Sequence, residues 1–570
     1  MSVDPQAYAD AVARLTGPDS PFELRLEQVR GRPTRNFAKR PKSLAEFVIQ
    51  AARHGEREFL VQGQRRISYA EFAHLVQGTA LRLRGLGLQK GDRLAVLSYN
   101  SLDYLICVFA AASLGSVTVA LNGWWVEEEL DHALRDSGSR FLMVDDRLYP
   151  RVRPLLAGIE NLDTVLFSGD SAPGGTIQLT DVIEACEELT PLEEIDEDDP
   201  FVILYTSGTT GRPKGCITTH RGTITQFMGI LLYGMLAGAL GEAGPLPSDG
   251  SQPTALLTAP MFQVAGIHTG LCTAMAAGAK VVLSQGRFDP DQVLSLIERE
   301  KVTTWSGIPT MLHRVVHSPN LARYDLTSLT RVSFGGAPSA PETMDRARKI
   351  LAAAPSLTNG YGITETHGIV MLNGGQGLES KPTSVGRPMA FFDVKLIDDR
   401  GREVADGELG ELCLFGPTVT PGYWNQPDAT AESIRDGWLH TGDIACRDTD
   451  GDYHIVDRAK DMIIRGGENV YCVEIENCLA EHHEIDEAAV IGVRDPDLGE
   501  RVKAIIRLGP GAHLDEHGVR RHAAAHLATY KVPEVVEFTD APLPRNPAGK
   551  LLKNQLRGLG SSPFVDDDAA

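Results

Sequence analysis

No Cys-x-x-Cys pair occurs anywhere in the 570 residues. The eight cysteines, at 107, 186, 216, 272, 413, 446, 472 and 478, form no Cys/His cluster with zinc-ligand spacing. The pattern fits free, mostly buried thiols in a reducing cytoplasm. Positive charge is also scarce: 55 Lys and Arg stand against 76 Asp and Glu, for a net charge of −21. Nucleic-acid backbones need a basic surface, so nucleic acid is excluded as a major partner and anionic membranes are disfavoured. An anionic nucleotide needs only a few local cations and stays allowed. There is no internal repeat. Met1-Ser2-Val3-Asp4-Pro5 carries neither a basic nor an apolar leader region, so no secretory signal is expected. The long uncharged run between Asp103 and Glu127 could span a bilayer by length. Gly115 divides it, however, and Val117, Val119 and Leu121 alternate as in a strand. The run is expected to form a buried helix, a turn and a core strand, with no membrane span.

What the chain does have is enough length for two to four domains and enough apolar residues, 42%, to fill their cores. Apolar runs at Leu94–Leu97, Phe141–Val144, Lys280–Leu283 and Arg331–Phe334 read as strands. They alternate with helical segments. Ser68-Tyr69-Ala70-Glu71 has the form of a capping box at a helix start, and Asp289-Pro290 supplies another N-cap followed by proline at the first helical position. Residues 1–40 read as a polar surface arm. The acidic stretch 187–199 reads as a solvated linker, and residues 241–253 as a mobile connection. Alternating strands and helices predict an α/β protein of stacked sheets over residues 1–457. Shorter elements after about Asp457 predict a small, mobile α+β domain over 458–570.

The most distinctive chemistry lies in Tyr205-Thr206-Ser207-Gly208-Thr209-Thr210-Gly211-Arg212-Pro213-Lys214-Gly215, which follows the apolar strand Phe201–Leu204. Glycines expose backbone N–H groups, hydroxyls add donors and cations neutralise charge, as a loop that wraps polyphosphate requires. Proline at 213 breaks the Walker A spacing, so the loop belongs to another nucleotide-binding class. Five further segments carry chemistry. Gly335-Gly336-Ala337-Pro338 would let a flat ring lie against backbone. Asn359-Gly360-Tyr361-Gly362-Ile363-Thr364-Glu365-Thr366 offers a stacking ring, a phosphate-binding hydroxyl and a carboxylate suited to Mg²⁺. Gly437–Asp443 places an acid in a tight turn, suited to two ribose hydroxyls. The fourth runs from Asp457 to Tyr471 and contains Arg458, Lys460 and the Gly466-Gly467 pair. The fifth, Pro544–Lys550, holds a lysine on a Pro/Gly-framed loop.

In order and spacing these segments resemble the adenylate-forming superfamily, which comprises acyl-CoA synthetases, peptide-synthetase adenylation domains and beetle luciferases. The resemblance extends from about residue 45 to 557, and Gly466-Gly467-Glu468-Asn469-Val470-Tyr471 has the form typical of CoA ligases. It implies a large domain that binds ATP and acid, followed by a mobile small domain. It also implies roles for individual residues. Thr206 to Gly211 and Lys214 would hold the β- and γ-phosphates. Gly336, Ala337, Pro338, Asn359, Gly360, Tyr361 and Gly362 would line the adenine site. Thr364 would bind the α-phosphate, Glu365 Mg²⁺, and Asp443 and Arg458 the ribose. Lys460 would be the hinge and Lys550 the catalytic lysine of adenylation. Gly466 and Gly467 would form the channel for the thiol of CoA. The implied reaction is ATP-dependent activation of a carboxylic acid to acyl-AMP, then transfer to CoA. The segment Pro260–Gly266 would border the acyl pocket. There Gln263, beside Val264, replaces the histidine or aromatic of most acyl-CoA synthetases. That departure keeps open a different acceptor, such as a carrier protein or an amine, or a different oxyanion such as nitrite. Cys472, where many relatives have proline, is read as a small apolar filler. A homo-oligomer is compatible with all of this.

Overall fold

The computed structural model describes residues 4–206, 213–241, 251–286, 288–335, 346–349, 356–458, 461–465, 468–495, 498–545 and 551–558. Two large sheets dominate. In the first, the strands Arg93–Leu97, Val117–Ala120, Phe141–Asp145, Thr164–Ser168 and Pro200–Thr206 run parallel, and Lys214–Thr219 closes one edge antiparallel. In the second, Lys280–Leu283, Thr254–Leu257, Thr304–Gly307, Arg331–Gly335 and Ser356–Ile363 run parallel, with antiparallel strands at both edges. Parallel sheets are buried on both faces, which is why strands such as Leu94–Leu97, Phe141–Val144 and Phe201–Leu204 are runs of buried apolar residues.

Local rules account for many boundaries. The Ser68 hydroxyl accepts from the Glu71 N–H at 3.1 Å and starts the helix Tyr69–Gly85. Asp289 caps Pro290–Glu300 in the same way. The run between Asp103 and Glu127 forms the buried helix Leu102–Ser113, a turn at Gly115 with φ of +65°, and the buried strand Val117–Ala120. The helix His220–Ala239 is, by length and composition, apolar enough to cross a membrane. In this fold 56% of its most apolar window is buried inside the protein, and residues of its second half line the main cleft.

Two readings of the sequence need correction. The arm at 1–40 contains a helix, Pro5–Thr16, and the hairpin Leu24–Val29 with Arg32–Phe37, whose Asn36 and Phe37 are buried. The acidic stretch 187–199 is not a solvated linker along its length. The Glu197 carboxylate pairs with Arg40 at 2.6 Å, with Lys42 at 2.7 Å and with Arg221, and Asp198 pairs with Arg221 at 2.9 Å. The Arg40 side chain is 2% exposed. Burial alone would raise the Glu197 pKa, but these cations hold it below the usual carboxylate range. The acids therefore lock the N-terminal hairpin to the start of the long apolar helix.

A third, antiparallel sheet contains Asp393–Ile397, Gly410–Phe415, Ile434–Arg435, Trp438–Arg447 and Tyr453–Arg458. After Ile463 the chain builds a separate sheet from Ile463–Arg465, Glu468–Val470, Ile485–Asp495, Gly499–Leu508 and Val535–Phe538. Helices Cys472–Ala480 and Glu516–His526 contribute to the apolar core of this region, which is drawn entirely from residue 463 onward.

Candidate active site

A cleft of about 2990 Å³ is bordered by the C-terminal ends of the strands in both large sheets, by the third sheet and by the region beyond Ile463. Ligands of open parallel sheets collect at such strand ends. Residues 207–212 lie outside the described residues, but both anchors of their segment are in place. Thr206 ends one strand opposite Lys214, which begins its antiparallel neighbour, and both line the cleft.

Asn359, Gly360, Tyr361 and Gly362 lie at the end of the strand Ser356–Ile363 rather than in a loop, and Thr364 and Glu365 form the tight turn that follows. Gly335 must be glycine because an added Cβ would lie 2.6 Å from the Gly360 carbonyl oxygen. Gly362 sits at a register shift, where a Cβ would come within 2.0 Å of the Gly368 oxygen. These two close approaches set the path of the strand and aim Tyr361 across the cleft.

Tyr361 meets Asp443. Its hydroxyl donates to Asp443 Oδ2 at 2.5 Å, and Arg458 Nε lies 3.1 Å from Oδ1. Asp443 is in the strand Trp438–Arg447 rather than at a hairpin tip, and Arg458 is its direct cross-strand partner. The hairpin turn of this segment lies six residues earlier, at Gly437, while Gly442 just before Asp443 has a φ of +68° at a bulge in the strand. Asp443 is 3% exposed. Burial, and then the Asp443 charge, push the Tyr361 hydroxyl far above its ordinary pKa, so it stays a neutral donor. Burial would lower Arg458, but Asp443, Tyr361 and Glu365 hold it above its usual value. Behind Asp443, Glu411 accepts from the Gly442 N–H at 3.1 Å and lies 3.2 Å from His440 Nδ1.

Glu365 has its own support. Tyr423 donates its hydroxyl to Glu365 Oε1 at 2.8 Å, and Lys214 Nζ sits 5.4 Å from the centre of the Tyr423 ring. Burial, followed by the Glu365 charge, raises the Tyr423 hydroxyl well above its ordinary value. Two residues on, His367 Nδ1–H donates to the Thr418 carbonyl at 2.6 Å while Nε2 accepts from the Thr219 N–H at 2.7 Å. A carbonyl only accepts and an amide N–H only donates, so these partners dictate the tautomer. Burial pushes the His367 pKa down to about 3. The neutral ring thereby pins the Glu365 turn to the strand that begins at Lys214.

Gln263 and Val264 also line the cleft, just before a widened helical segment at Ala265–Leu271. Gly266 makes that segment possible, since a Cβ there would meet the Pro260 oxygen at 2.4 Å. Phe262 contributes an aromatic wall, edge-on to Trp124 at 5.1 Å. Ser207, Gly208, Thr209, Thr210, Gly211, Gly336, Ala337, Pro338, Lys460, Gly466, Gly467 and Lys550 lie outside the described residues. The segment holding Lys550 is bracketed by Arg545 and Leu551, which bridge to each other and line the cleft. Cys472 is buried, with its thiol pushed up to about 12 by desolvation, as suits a core filler. Sequence reasoning passed over Tyr423, Glu411 and His367. Their types are ordinary, and only Pro421-Gly422 beside Tyr423 marked a turn.

The cleft thus lies between two α/β layers and a small C-terminal region, and holds a buried acid met by tyrosine and arginine. The chain belongs to the AMP-binding enzyme family: that family's model matches residues 47–424, and the model of the AMP-binding enzyme C-terminal domain matches 474–550. It is 37% identical over 519 residues to a feruloyl-CoA synthase of Amycolatopsis sp, covering 91% of this chain and 99% of that protein. Among solved structures it is similar to the anthranilate CoA ligase AuaEII in complex with anthranoyl-AMP, with a TM-score of 0.81 and 25% identity, covering 91% of this chain and 97% of that one. It is also similar to the amide bond synthetase McbA from Marinactinospora thermotolerans, with a TM-score of 0.80 and 28% identity, covering 90% and 99% of the two chains.

Proposed function

We propose that the protein is an AMP-forming acid–thiol ligase, which activates a carboxylic acid with ATP and transfers the acyl group to CoA. The observation that carries this reading is the meeting of Tyr361, Asp443 and Arg458 beside Glu365 in one cleft. In this reading Asp443 and Arg458 hold the ribose. Tyr361, with the backbone of Asn359, Gly360, Gly362 and the segment Gly336-Ala337-Pro338, encloses adenine. Thr364 receives the α-phosphate, and the segment from Thr206 to Lys214 receives the β- and γ-phosphates. Glu365 fits a hard divalent cation: Tyr423 occupies part of one carboxylate oxygen, and the remaining lone pairs suit Mg²⁺. Mg²⁺ bound there would offset phosphate charge.

The substrate carboxylate then attacks the α-phosphorus, the bond to the β-phosphate oxygen breaks, and pyrophosphate leaves. Lys550 neutralises the charge that builds at the reacting oxygens. No protein nucleophile is needed, because positioning and electrostatics suffice for phosphoryl chemistry. The small domain, taken as residues 458–570, next turns about Lys460. That motion removes Lys550 and presents Gly466 and Gly467 to the CoA thiol. The thiolate attacks the carbonyl carbon and AMP departs.

We assign the acid to the aryl class. Phe262, which lines the cleft and is backed edge-on by Trp124, supports this, as do relatives whose names refer to ferulate and anthranilate. ATP–pyrophosphate exchange over aryl, branched and fatty acids tests both levels. Exchange highest with aryl acids is expected; a fatty-acid preference overturns the acid class, and no exchange with any acid overturns the reaction. Lys550→Ala should lower adenylation about 100- to 1000-fold and leave thioester formation from supplied acyl-adenylate intact. Equal loss of both steps would remove Lys550 from its role. Gln263 in the cleft favours one second reading, in which an amine replaces CoA as acceptor. Thioester formation with free CoA decides between the two.

A further inference from the structure

The helix Cys472–Ala480, which follows directly on the Asp457–Tyr471 segment, packs against the helix Glu516–His526. Cys478 on the first faces His522 and His526 on the second. One ligand atom from each lies within 4.8 Å of the other two. His522 and His526 are four residues apart and share one helix face. His522 Nε2 lies 2.8 Å from the Cys478 carbonyl oxygen, and His526 Nδ1 lies 2.9 Å from the His522 carbonyl oxygen. Both rings therefore donate an N–H to backbone, and in each the other nitrogen carries a lone pair. Metal-bound histidines are held by second hydrogen bonds of this type.

We propose that Cys478, His522 and His526 form a binding site for a divalent transition-metal ion of the zinc class, separate from the nucleotide cleft. One thiolate and two imidazoles are soft and borderline donors, which favour zinc-like ions over Mg²⁺ or Ca²⁺. A tetrahedral zinc site spaces its ligands by roughly 3.5 Å, so small side-chain rotations close the present arrangement. Cys478 is 6% exposed while His526 is at the surface, which gives the ion an entry path and the sulfur a dry setting. Glu481 places negative charge near the thiol, which favours a cation, while nearby Glu474 is already paired with Lys531 at 2.6 Å. His482 stacks edge-on to His522 at 5.0 Å, but its Nδ1 accepts from the Glu484 N–H, so water takes the fourth position. On binding, the thiol loses its proton to solvent as the sulfur–metal bond forms. The ion would join two helices, the first of which also borders the cleft through Glu476 and Asn477.

Cobalt(II) titrated into the full chain is the probe. A thiolate-to-cobalt absorption band saturating at one equivalent and displaced by Zn²⁺ is expected. Cys478→Ser should abolish the band, and His526→Ala, at an exposed position, should weaken binding at least 10-fold. Zn²⁺ should raise the thermal midpoint of the native chain but not of Cys478→Ser. Cys413 also lies beside a histidine and an acid, so Cys413→Ser is the control and should keep the band. No thiolate band at stoichiometric cobalt, or a band that survives Cys478→Ser, overturns the proposal.

Discussion

Asp443 and His367 each tie together segments distant in sequence at the same cleft, yet one works as a charged group and the other as a neutral one. Asp443 faces the cavity and is met by Tyr361 and Arg458. His367 lies behind Glu365, fully buried between Thr219 and Thr418. The difference follows from the energetics of burial. An ion in the interior costs several kcal/mol unless it is paired, whereas a neutral imidazole with both nitrogens satisfied can bridge two backbones at little cost. Charge is thus kept where a ligand can use it, and neutral bonds do the fastening one layer deeper.

Four changes would break or sharpen this contrast. The largest effect is expected for Asp443→Ala, which strands Arg458 and the Tyr361 hydroxyl. ATP-dependent exchange should fall about 100-fold through a raised KM for ATP, and stability by about 3 kcal/mol. Unchanged KM for ATP would separate Asp443 from nucleotide binding. Next, His367→Ala leaves the buried Thr219 N–H and Thr418 carbonyl without partners. About 3 kcal/mol of stability should be lost in urea unfolding, and a loss below about 0.5 kcal/mol would mean that the ring fastens nothing.

The third test is pH. Burial holds His367 at about 3 and His220 at about 4 in the folded chain, below the ordinary value near 6.5. Well above pH 6.5 both rings are neutral in the folded and unfolded states and add no pH dependence. Below it the unfolded chain takes up protons that the folded chain refuses. Stability therefore falls with acidification, by up to about 1.4 kcal/mol per pH unit for each ring. Urea midpoints between pH 7.5 and 5 should show this slope, and His367→Gln should make it shallower, with buried His220 and His268 keeping the rest. A flat native profile would contradict the neutral-fastener role. The smallest effect is expected for Tyr423→Phe, which removes one donor to Glu365. The Mg²⁺ concentration for half-maximal exchange should shift about five-fold, the size of one hydrogen bond. No shift would detach Tyr423 from the metal.

Features governed by near neighbours were legible in the chain. Ser68 and Asp289 start their helices because each cap bonds an N–H two or three residues away. The run after Asp103 split at Gly115 because a positive φ there suits glycine. The acidic stretch was opaque for the opposite reason. Eight acids in thirteen residues look solvated until Arg40 and Arg221, from both sides of the sequence, are brought onto Glu197. Asp443 was found by its motif, but its place in a strand opposite Arg458 depends on sheet pairing.

By itself the sequence determined the alternating α/β layers, the family and the residue types gathered for nucleotide chemistry. These rest on periodicity, on glycine where backbone must pass closely, and on short-range hydrogen bonds. Only the tertiary structure decided which partners those residues meet: Tyr423 for Glu365, Thr219 and Thr418 for His367, and two helices for the Cys478 cluster. Such pairings join segments tens to hundreds of residues apart. Close packing brings the partners of Glu365 and His367 within 3 Å and the Cys478 cluster within 4.8 Å, and no local rule of the chain encodes those distances.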